Sequence, residues 1–80
     1  MDKNQKFLKR LTAKEFELIQ EVLEKLFVRD VEGLDIKKLV GYRDVFRVRV
    51  GSIRIIFLDT DSGIEILEIS RRSEKTYKDY

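Results

Sequence analysis

Eighty residues give room for one domain, residues 1–80, and one small core, because a chain this short buries only about 60 percent of the surface its unfolded form exposes. The sequence has no cysteine and no histidine, which excludes disulfides, thiolate metal sites, triads built on histidine and the ordinary zinc centres. Seventeen basic residues against fifteen acidic ones leave a net charge of +2. No apolar run approaches the roughly 20 residues of a membrane span, so the sequence reads as a soluble, cytoplasmic protein with neither signal peptide nor anchor, no metal and no small-molecule cofactor.

The predicted elements begin with a short helix over residues 2–11, whose Phe7, Leu8 and Leu11 offer an apolar edge. Thr12-Ala13-Lys14-Glu15 has the spacing of a capping box, in which a threonine hydroxyl and a glutamate three residues on satisfy each other's backbone N–H groups. Beyond it Phe16, Ile19, Val22, Leu23, Leu26 and Phe27 recur three or four apart, opposite Glu17, Glu21, Glu24 and Lys25, the stripe of an amphipathic helix. The two segments predict an αα-hairpin ended by Arg29 to Gly33, and Leu34 to Val40 reads as a link.

After Gly41 the hydrophobic period drops from 3.6 to 2. Residues 45–50, 53–58 and 64–69 predict three antiparallel strands, rich in β-branched and aromatic side chains. Gly51-Ser52 fits a two-residue type II′ turn, which takes glycine at its first central position. The run Asp59 to Gly63 has aspartates but lacks the spaced ligands and closing glutamate of a calcium loop, and reads as a hairpin connection. Glu65 and Glu68, three apart along a strand, are expected on opposite faces. The tail from Arg71 to Tyr80 reads as a loop or short helix. The fold class expected is α+β, with the N-terminal αα-hairpin on one face of a small three- to four-stranded antiparallel sheet.

Six of the eight arginines follow Gly41. With Gly51-Ser52 as the turn, Arg49 faces Arg54 directly and Arg47 lies two residues along the same face. Like charges set opposite each other are destabilising, and a planar guanidinium suits phosphate, so the pattern points to an anion. A solvated surface or a protein-binding patch would carry the same residues. If Leu67 and Ile69 lie beside Arg54, Arg71 emerges on this same face.

The segment Lys38-Leu39-Val40-Gly41, the run from Val45 to Phe57 with its Arg49-Val50-Gly51-Ser52-Ile53-Arg54 core, and Ile66 to Arg72 ending in Tyr77 resemble the RelE/ParE toxin superfamily, from Gly33 to Tyr77, over half the chain. The resemblance implies the toxin of a toxin–antitoxin pair and favours the RelE-like branch, ribosome-dependent endoribonucleases that cleave mRNA without a metal. It implies that Arg47 and Arg49 bind phosphate and help activate a 2′-hydroxyl, that Arg54 stabilises the scissile phosphate, and that Arg71 and Tyr77 act at the leaving group. Arg43, Arg72 and Lys75 are candidate RNA contacts around them. The partners implied are a cognate antitoxin protein and mRNA on the ribosome. A ParE-like inhibitor of DNA gyrase, or a degenerate protein-binding member, would share these residues. Family members open with a β-strand where this chain reads as helix, so the sheet is expected to be one strand short.

Overall fold

The structure is a computed structural model that describes residues 3–71, with side chains from residue 5 onward. The expectations for Arg72, Lys75, Tyr77 and the tail lie outside the described residues.

Helix α1 runs Lys3–Lys9 and α2 runs Ala13–Phe27. The capping box forms: Glu15 N–H donates to Thr12 Oγ1 and Thr12 N–H donates to Glu15 Oε1, each at 3.1 Å, which starts α2 at the expected residue. The helix ends in a complete Schellman arrangement, with Asp30 N–H donating to the Lys25 carbonyl at 2.9 Å and Arg29 N–H to the Leu26 carbonyl at 3.0 Å. Glycine usually holds the left-handed position of that motif. Here Arg29 does, at φ 56°.

Four strands follow: β1 Asp35–Lys38, β2 Val45–Val50, β3 Ile53–Thr60 and β4 Gly63–Arg71, in the spatial order β1-β2-β3-β4, each antiparallel to its neighbour. The segment expected as a link therefore contains a strand. Its four residues are too few, and too polar at Asp35, Lys37 and Lys38, to show a period; β2 recruits them, setting Ile36 beside Val48. The β2–β3 register is the expected one, with Phe46 opposite Phe57, Val48 opposite Ile55, Arg49 opposite Arg54 and Val50 opposite Ile53. Gly51 has φ 60° while Ser52 is not left-handed, as a type II′ turn requires.

One sheet face meets the helices. Ile19, Val22 and Leu26 of α2 pack with Val48, Ile53, Ile55, Phe57 and Ile69, and Phe7, Leu8 and Leu11 close over them. Ile19, Leu26, Ile55 and Val48 are at most 1 % exposed, and each such side chain stabilises the fold by about 1.5–3 kcal/mol. Helix α1 lies over β4 and α2 over β2 and β4.

Strand β4 departs from simple alternation. Phe57 stands opposite Ile66, yet Ile56 stands opposite Glu68, so Leu67 is an extra residue, a β-bulge that shifts the side-chain alternation of everything after it. Two expectations fail for this reason. Glu65, opposite Leu58, and Glu68, opposite Ile56, share the sheet face turned away from the helices, and Arg71, opposite Ile53, points to the helix face.

Candidate nucleic-acid interface

The face away from the helices carries two rows of side chains across the sheet. The first is Asp35, Arg49, Arg54 and Ser70; the second is Lys37, Arg47, Ile56 and Glu68. Arg47, Arg49 and Arg54 are brought together as the sequence implied, because residues two apart on one strand share a face and the tight Gly51-Ser52 turn fixes the register between strands.

The three arginines differ in setting. Arg49 is exposed. Arg47 is 11 % exposed, with Nη1 3.4 Å from Asp35 Oδ1 and donating to the Asp35 carbonyl at 3.3 Å. Arg54 is buried, with Nη2 donating to the Arg71 carbonyl at 3.5 Å. Beside it the face holds two further buried polar residues, Glu68 and Ser70. Ser70 Oγ, opposite Arg54, has no hydrogen-bond partner among the described residues. A buried polar atom in that condition costs about 1–3 kcal/mol.

Glu68 and Ser70 were missed by sequence reasoning. Ile64 and Ile66 set an alternation that assigns 68 and 70 to the core, and only the bulge at Leu67 reverses it. A signal did exist: continuing that alternation would have buried a carboxylate under the helices, which is costly without a partner.

Arg71 is placed elsewhere. On the helix face its Nη1 donates to Glu15 Oε2 at 2.9 Å and its Nη2 to Glu15 Oε1 at 3.3 Å, a two-pronged ion pair. Nη1 also donates to Ser52 Oγ at 3.1 Å, and the guanidinium carbon stands 6.0 Å from the centre of the Phe7 ring. Hydrogen bonds from Arg71 and from the Thr12 backbone hold the Glu15 carboxyl down to about 2 from its ordinary 4.5. Arg71 thus ties α1, the start of α2, the β2–β3 turn and the end of β4. It does not join the other three arginines. Arg43, the remaining candidate in the described chain, is almost fully exposed at the far end of the sheet, 3.9 Å from Asp44. No group of three or more metal-ligating side chains occurs among the described residues, and no helix is long and apolar enough to cross a membrane.

A helix pair on one face of a four-stranded antiparallel sheet, with arginines on the other, is the architecture of the RelE-type toxins. The comparison with solved structures agrees: the crystal structure of a RelB–RelE antitoxin–toxin complex from Methanococcus jannaschii contains a chain that matches with a TM-score of 0.77 and 27 % identity, over 100 % of this chain and 94 % of that one. A Methanocaldococcus jannaschii protein described as a RelE1 toxin is 39 % identical over 77 residues, 91 % of this chain and 84 % of the relative. No protein-family model matches. On the length and identity of that match, the chain belongs to the RelE toxin family.

Proposed function

We propose that the protein is the toxin of a toxin–antitoxin pair, acting as a ribosome-dependent mRNA endoribonuclease that a cognate antitoxin neutralises. The observation that carries this reading is the face on which Arg49 and Arg54 stand directly opposite each other with Arg47 beside them. Like charges set directly opposite each other on a sheet are destabilising by themselves and favour a bound polyanion, and the planar guanidinium suits phosphate.

In the reaction proposed, a ribose 2′-oxygen attacks the adjacent phosphorus and its proton passes to a carboxylate. Glu68, two residues along β4 from Ser70, and Asp35, opposite Arg49 on β1, are the carboxylates beside this centre by register, and Glu68 is the one that takes this role; a guanidinium is a donor only and offers no lone pair to take the proton. Arg49 and Arg54 stabilise the negative charge that develops on the phosphorane. The bond from phosphorus to the 5′-oxygen breaks, and that oxygen leaves as an alcohol with a proton taken from Tyr77 or from solvent. The products are a 2′,3′-cyclic phosphate and a 5′-hydroxyl end.

The test is induced expression of the chain followed by primer extension on a cellular mRNA. Codon-phased cuts that disappear with Arg54→Ala and weaken with Glu68→Gln are expected. Growth arrest with intact mRNA and induced DNA damage would transfer the reading to a gyrase inhibitor, and absence of arrest would leave a protein-binding member.

A further inference from the structure

The end of the sheet farthest from Gly51 carries a second built feature. Between the close of α2 and the sheet lies an apolar slot of about 300 Å³, lined by Leu26, Val31, Ile36, Phe46, Phe57 and Ile64. It is continuous, through Arg29, Phe46 and Asp59, with a polar cavity of about 640 Å³ whose rim adds Arg43, Asp44 and Asp61. Arg29 spans the junction, its Nη2 donating at 2.9 Å to both Asp59 Oδ1 and the Thr60 carbonyl. Arg29 and Asp44 are the two non-glycine residues with positive φ among the described residues, and both line this cavity. Such backbone costs of order 1 kcal/mol or more, and strained residues cluster at binding sites.

We infer that this slot is the anchor point for the antitoxin, receiving one aliphatic or aromatic side chain while a basic residue next to it meets the rim. The inference rests on the toxin–antitoxin reading but not on the ribonuclease reading. Three observations select a polypeptide as the occupant. The floor is apolar, and an apolar pocket inside a polar rim is the form taken by the dominant contacts of protein interfaces. The rim carries three carboxylates, Asp44, Asp59 and Asp61, against two guanidiniums, an excess that suits a basic side chain better than a phosphate. Val31 at its lip is exposed, and Phe27 and Val28, also exposed, follow Leu26 in sequence at the end of α2. The slot is also remote from the arginine face: Asp59 lies five residues beyond Arg54 on β3, roughly 17 Å along the strand. Neutralisation and toxicity should therefore be separable by mutation.

The experiment selects, from a genomic library of the organism that encodes the chain, a polypeptide that restores growth to cells expressing it, and then measures binding of that purified polypeptide to the toxin. Val31→Arg, at the exposed lip of the slot, is expected to weaken binding about 30-fold or more, the loss typical of a principal interface contact. Asp61→Lys, on the rim, is expected to weaken it several-fold, with circular dichroism and toxicity unchanged in both. Arg54→Ala is expected to do the reverse, lowering toxicity and leaving binding within about 3-fold. Binding to Val31→Arg and Asp61→Lys equal to wild type overturns the anchor site alone. Arrest that no library member relieves, or no arrest at all, overturns the toxin–antitoxin reading and the anchor with it.

Discussion

Arg54 and Arg71 are the same residue type on adjacent strands, yet the sheet sends them to opposite faces and different company. Arg54 stands with Arg47, Arg49, Glu68 and Ser70 on the face free of helices, and Arg71 is gripped by Glu15 beneath α1 and α2. The difference is made by one inserted residue, Leu67, and by one carboxylate. The spacing of an arginine from a tyrosine thus says little about its role until strand parity is known, because a shift of one residue exchanges the faces of a sheet.

The largest expected effect tests this division. Arg54→Ala should lower cleavage on the ribosome by about 100- to 1000-fold, the loss usual for removing one group that stabilises transition-state charge. Arg71→Ala should retain cleavage within about 3-fold when assayed well below its own Tm, while its Tm falls. Equal losses of cleavage in both variants would end the distinction, and would mean that Arg71 reaches the RNA in spite of its grip on Glu15.

Deletion of Leu67 is a sharper probe of the bulge itself. Starting from the observed faces, simple alternation would have the removal of one residue invert everything after it and bring Glu68 under the helices. The observed register gives the contrary expectation: with Leu67 gone, Ile66 opposite Phe57 and Glu68 opposite Ile56 become consecutive pairs of a regular ladder, so every later side chain keeps its face. The deletion should unfold cooperatively in urea with a loss of at most ~2 kcal/mol, since Leu67 is only partly buried. Loss of the cooperative transition would show that the bulge is not what sets the two faces.

The same residue explains how far the sequence could be read. The capping box, the α2 stripe, the Gly51-Ser52 turn and the pairing of Arg49 with Arg54 were legible because each follows from contacts within a few residues, where period and turn chemistry leave one solution. β1 was not, because Asp35–Lys38 has no period of its own and is a strand only through β2. The membership of Glu68 and Ser70 in the arginine face was only half legible for a related reason: the carboxylate at 68 hints that alternation must break, but a bulge is decided by how two strands fit, and nothing in Ile64 to Arg71 marks Leu67 as the surplus residue. At the other end, Arg29 and Asp44, which line the polar cavity beside the slot, adopt left-handed backbone, which residue type alone did not announce.

The Arg71 grip also sets a pH dependence. A carboxyl held below its ordinary value in the folded state stabilises that state above the ordinary value and loses the contribution as pH falls toward the depressed one. For Glu15 the window runs from about 4.5 down to about 2. Glu15→Gln should therefore melt below wild type at pH 7, with the gap closing as the pH is lowered through that window. A gap of constant size from pH 7 to pH 2 would show that packing, rather than the charge on Glu15, accounts for the loss, since a glutamine oxygen can still accept the capping bond from Thr12 N–H.

The smallest effect is expected where two opposed costs meet, at Arg29. Replacing it with glycine relieves the left-handed backbone at φ 56°, a gain of about 1 kcal/mol at a Schellman position. It also removes the 2.9 Å bonds to Asp59 and Thr60, and because Arg29 is about half exposed that pair is worth only about 0.2–1 kcal/mol. The two nearly cancel, so Arg29→Gly should unfold within ~1 kcal/mol of wild type in urea. Arg71→Ala has no such backbone gain to set against its lost contacts. A clear stabilisation by Arg29→Gly would mean that the chain carries strain at the mouth of the slot that folding does not need, as expected of a residue kept for a partner rather than for the core.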